Sequence, residues 1–124
     1  MLRKALATAL LLVVVGAGSA RAAVPDIKRI VHCDGSSTSA LSVTRYDATR
    51  LRVRFAIANS TPGQTWQLFG SDNGIGVFVV SRVVSAGGTV SVRRVVKDLP
   101  GKDIVKASGF NVAALETCSG SVGF

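Results

Sequence analysis

From Arg50 to Ala58 the apolar residues Leu51, Val53, Phe55 and Ile57 alternate with Arg50, Arg52, Arg54, Ala56 and Ala58. A strict period of two puts the apolar set on one face of a strand and the arginines on the other, which predicts a half-buried strand. Thr65 to Phe69 carries Trp66 and Leu68 at alternate positions, and the turn-forming run Asn59 to Gly63 lies between the two segments. Together they predict a hairpin. After a second turn cluster, Ser71 to Gly74, the stretch Ile75 to Val84 is nearly continuous apolar sequence. That pattern predicts a central strand covered on both faces.

Ala86 to Gly88 turns the chain again, and Thr89 to Lys97 follows. There Val90 and Val92 share a parity with Arg94 and Val96 while Val95 does not, so a bulge is expected near Arg93 and Arg94. Lys102 to Val112 and Glu116 to Val122 predict two further strands. Ile27 to Cys33 and Ala40 to Arg45 predict two earlier ones, separated by the Ser-rich turn Asp34 to Ser39. Beyond residue 22 there are sixteen Val and five Ile against five Leu, and no segment shows helical spacing. Seven to eight strands with regular turn signals point to an all-β protein, an antiparallel immunoglobulin-like β-sandwich, with a small barrel as the alternative.

The chain has 124 residues and a formal net charge of +8. Arg3 and Lys4 precede an apolar run from Ala5 to Ala17, and small residues then end in Ala20-Arg21-Ala22. This is the arrangement of a secretory signal peptide, residues 1–22, cleaved after Ala22. The apolar run is shorter than the roughly 20 residues a spanning helix needs, which argues against an uncleaved anchor, and after cleavage no remaining stretch is expected to be long and apolar enough for stable membrane insertion. Residues 23–124 form the single expected domain, with twelve bases against seven acids. Its two cysteines, Cys33 and Cys118, are expected to pair in an oxidising compartment and to fasten the first strand to the last. An immunoglobulin domain instead places its second Cys on the penultimate strand and its Trp soon after the first Cys; Trp66 is too far along for that.

At Gly101-Lys102-Asp103, Ala107, Asn111 and Glu116-Thr117-Cys118 the C-terminal half resembles small secreted immunoglobulin-like β-sandwich proteins of high-GC Gram-positive bacteria. Such proteins often close with a G-x-D…A…N…G-E-x-C segment, and here Ala114-Leu115 replaces the Thr-Gly common before the Glu. The resemblance implies a bacterial secreted module and supplies no catalytic residues.

Little catalytic chemistry is available. His32 is the only imidazole, so a two-His metal site is excluded and a triad would have to use His32 with Asp34 and one of Ser36, Ser37 or Ser39. A Ser-rich turn accounts for the same residues. Asp98 and Asp103 flank the Leu99–Gly101 turn and are the nearest candidates for paired carboxylates, although turn formation explains them as well. No cofactor is expected. The feature above background is a cationic row: Arg50, Arg52 and Arg54 on one strand face, with Arg45 just upstream. Such a row attracts anionic polymers, or simply keeps an outer sheet face soluble. Few aromatic residues are present to stack on bases, which argues against nucleic acid as the partner. The expectation is a non-enzymatic binding module, extracellular or envelope-associated, whose partner is an unknown protein or an anionic envelope polymer. An exported effector, such as a protease inhibitor using the loops Asp34–Ser39 or Ser60–Gly63, or a cationic toxin, is the alternative.

Overall fold

A computed structural model of the chain describes residues 26–124. The expected leader, residues 1–22, and Pro25 lie outside the described residues. Eight strands follow one another: β1 (Ile27–His32), β2 (Thr38–Arg45), β3 (Arg50–Ala58), β4 (Thr65–Asp72), β5 (Ile75–Val83), β6 (Val90–Lys97), β7 (Ile104–Asn111) and β8 (Glu116–Gly123). They form two four-stranded antiparallel sheets, β1-β2-β3-β6 and β5-β4-β7-β8, that face each other as a β-sandwich.

The alternation read in β3 sets the core. Leu51, Val53, Phe55 and Ile57 are buried there, and Leu41, Val43, Val90 and Val92 join them from the flanking strands of the same sheet. Trp66, Leu68, Phe78, Val105, Ala107 and Val122 come from the other sheet. The indole NH of the fully buried Trp66 donates to the Ser60 hydroxyl at 2.8 Å, so its single polar atom is satisfied.

Three expectations fail. Arg50–Ala58 and Thr65–Phe69 are not a hairpin: β3 pairs with β2 and β6, while β4 pairs with β5 and β7. The intervening residues arch from one sheet to the other, with Asn59 and Gly63 at positive φ. A turn signature marks a reversal without saying which sheet receives the next strand. Secondly, β5 is an edge strand, and Ile75, Val79 and Val83 are exposed. Only Phe78 points fully into the core, where its ring covers Gly70 so closely that a side-chain carbon there would overlap it. Thirdly, β6 runs against β3 in unbroken register from Ile57↔Val90 to Arg50↔Lys97, and the irregularity lies at Gly70/Ser71 between β4 and β5. Arg94 occupies an inward position, but β6 is a sheet edge, so its long side chain can reach past the edge to water. An inward-pointing charge of that kind also blocks edge-to-edge aggregation.

The sheets are fastened where β1 meets β8. Cys33, directly after β1, is disulfide-bonded to Cys118 in β8, with the Cα atoms 4.4 Å apart. The turn after β1 docks on the same strand: Asp34 N–H donates to Thr117 O at 3.1 Å, and Thr117 N–H donates back to the Asp34 carboxylate at 2.7 Å. One turn further on, the buried Glu116 carboxyl group accepts from the backbone N–H of Ser37 at 2.8 Å and from its hydroxyl at 2.9 Å. Asp103, Ala107, Asn111, Glu116 and Cys118 are all buried.

Closing a loop with a sequence separation of 85 stabilises the fold by about 4.6 kcal/mol in a chain-entropy account, and measured cases often deliver less. Replacing both cysteines (Cys33→Ser with Cys118→Ser) is expected to lower the unfolding free energy by about 2–4 kcal/mol in urea titrations. A loss below about 1 kcal/mol would show that the hydrogen-bonded turn alone holds the two sheets.

Candidate functional site: a cationic sheet face

The alternation that buries one side of β3 sends Arg50, Arg52 and Arg54 outward, about 6.8 Å apart along the strand. Strand order then adds to the row. Arg54 lies directly opposite Arg93, and Arg50 opposite Lys97, on β6. On the other side Arg54 faces Ser42, which in turn faces Lys28 on β1, so Lys28, Ser42, Arg54 and Arg93 form one rung across the whole sheet. The registers place no Asp or Glu at an outward position of these four strands. Beside Arg54 a shallow depression of about 350 Å³ opens over short side chains, among them Ala40, Ala56, Ala58 and Ser91.

Tyr46, at the end of the row, is shared by two of its arginines. The Arg50 guanidinium lies 4.9 Å and that of Arg52 5.0 Å from the ring centroid, within cation–π range. Arg50 is also held by Asp47, whose carboxylate accepts from Nε at 2.8 Å and Nη2 at 2.6 Å. That pairing holds the Asp47 carboxyl below its usual range. Among the described residues, the outward cations Lys28, Arg52, Arg54, Arg93 and Lys97 have no such partner.

Arg45 does not belong to the row. Its register partner is the buried Leu51, so it has the opposite parity to Arg50, Arg52 and Arg54. Its guanidinium donates to Asp98 at 2.8 Å and to the Asp47 carbonyl at 3.3 Å, tying the ends of β2 and β6 together. Arg93 and Lys97 complete the face in its place.

Several of the residues considered for catalysis hold structural contacts. Asp34 and Ser37 bond to β8 as described, and His32 is exposed at the end of β1. Asp98 is taken by Arg45, and Asp103 is buried beside Asp72, a neighbour that no sequence signal indicated. Both Asp72 oxygens and one Asp103 oxygen are buried without a hydrogen-bond partner. Burial raises the affinity of both carboxyls for protons, and the nearby Asp98 and Asp72 groups push Asp103 further, to about 7. Among the described residues no three His, Cys, Asp or Glu side chains are grouped to hold a metal ion. No protein-family model matches this chain, and no curated protein matches it. Its function must therefore be argued from these surfaces.

The Asp72–Asp103 pair makes stability depend on pH. The folded state binds protons that the unfolded chain, with an ordinary carboxyl near 3.8, releases earlier. The stabilisation is fully present below about pH 4, is lost as pH rises towards 7, and then levels off. Urea midpoints are expected to fall between pH 5 and pH 8, and Asp103→Asn should flatten that decline and raise the midpoint at pH 8. A wild-type profile as flat as the variant's would show that burial does not raise the pair's affinity for protons.

Proposed function

We propose that the protein is a secreted, non-enzymatic binding module that associates with anionic polymers of the cell envelope through the outer face of the β1-β2-β3-β6 sheet. One observation carries this reading: Arg54 directly opposes Arg93, and beyond the intervening Arg52–Val95 pair Arg50 opposes Lys97 on the same face. Like charges directly opposite one another destabilise a sheet, so solubility alone would be met better by interleaved signs. A bound polyanion offsets that repulsion. Tyr46 adds an ordered edge to the face by stacking under Arg50 and Arg52.

Export is supported by the leader-like sequence of residues 1–22 and agrees with the Cys33–Cys118 disulfide. The resemblance to secreted immunoglobulin-like modules points the same way. An inhibitor needs a projecting rigid loop, and the turn after β1 exposes only Asp34, Gly35 and Ser36 above its buried Ser37.

The test is co-sedimentation of the oxidised protein with purified cell envelopes across a salt series. Retention should fall steeply with salt, and Arg52→Gln, Arg54→Gln and Arg93→Gln together should weaken it at least about tenfold and flatten the salt dependence. Arg82→Gln, on β5, should bind as the wild type does. A folded triple variant retained like the wild type at every salt would overturn the proposal.

A further inference from the structure

The opposite sheet carries a second surface of different character. Registers place Phe69, Ser108 and Ser119 on one rung across β4, β7 and β8. Two residues further along, Ser71, Lys106 and Ser121 form the next outward rung. The inward rung between them, Gly70, Ala107 and Gly120, is equally small. β1 lies against the edge of β8 because the disulfide holds it there, and it brings Arg29 and Val31 alongside. The result is a trough of about 590 Å³, within the range of small-molecule sites.

We infer that this trough is a binding site for an acidic oligosaccharide. Two rungs about 7 Å apart, across three strands spaced about 4.8 Å, make a shallow grid the size of one or two sugar rings. The exposed ring of Phe69 presents its electron-rich face to the C–H side of a pyranose. Ser71, Ser108, Ser119 and Ser121 offer hydroxyls that both donate and accept, matching sugar hydroxyls in either direction. Arg29 and Lys106 supply the cations for a carboxylate, with the guanidinium suited to a bidentate pair. Alternative occupants fit less well. An acyl chain needs apolar walls all round, and a peptide strand needs the free backbone groups of a sheet edge, whereas the trough lies over the outward side chains of β4, β7 and β8.

The inference is independent of the arginine face, and the test separates the two. Isothermal titration of the purified oxidised protein with a galacturonic acid trimer is expected to show saturable binding. Phe69→Ser, or Arg29→Gln with Lys106→Gln, should weaken it at least about tenfold. Ser119→Leu, which fills the trough without removing the aromatic platform, should do the same. The Arg52→Gln, Arg54→Gln, Arg93→Gln variant should bind as the wild type does, and a neutral glucose trimer should bind at least about tenfold more weakly than the acidic one. Absence of acidic-trimer binding overturns the inference, as does equal binding of the neutral trimer. It is also overturned if inorganic phosphate displaces the trimer at matched concentration, or if affinity is lost in the arginine-face variant and kept in the trough variants.

Discussion

The molecule's two outer faces meet where β1 is held against β8. The Cys33–Cys118 bond fixes the distance, and the buried Glu116 carboxyl group, accepting twice from Ser37, fixes the turn that follows. Removing one partner from such a buried pair leaves a desolvated polar group unsatisfied, which costs more than the bond itself contributes. The clasp acts alongside ordinary apolar burial, with a core drawn from both sheets and centred on Phe55, Trp66 and Leu68. It also joins the two surfaces: Lys28 belongs to the cationic face, while its neighbour Arg29 leans over the serine trough.

The inner faces of the sandwich leave little freedom, because one slipped register would expose Phe55 or Trp66. The outer faces are free to diverge, and they do. One carries cations opposite one another in cross-strand pairs, of which Arg50 is held by a carboxylate, a costly arrangement for folding alone. The other carries serines, Lys106 and the exposed aromatics Phe69 and Phe110. The division of labour suits a module that meets a charged polymer with one side and individual sugar residues with the other.

Sequence pattern revealed this fold where burial is one-sided. β3 was legible because every second residue is buried and the others are wet. β5 misled because its outward valines, exposed at a sheet edge, spell the same letters as a strand covered on both sides. The arch from β3 to β4 misled because turn chemistry encodes reversal and not sheet membership. Within the site, Arg50, Arg52 and Arg54 followed from parity alone. Arg45 did not, since the intervening turn resets parity, and whether Arg93 and Lys97 extend the row or form a separate patch depended on strand order, which pairs β6 with β3. The Asp72–Asp103 pair and the trough were invisible for the same reason: both are assembled by strand order from residues distant in sequence.

The most direct measurement is an NMR titration of the oxidised protein with polyglutamate, a defined polyanion, following backbone amides. If the outer face of the first sheet is the binding surface, shifts should centre on Arg52, Arg54, Arg93 and Lys97 and fade with added salt. Shifts scattered over every exposed Lys and Arg, Arg82 and Lys102 included, or centred on the turns, would contradict it.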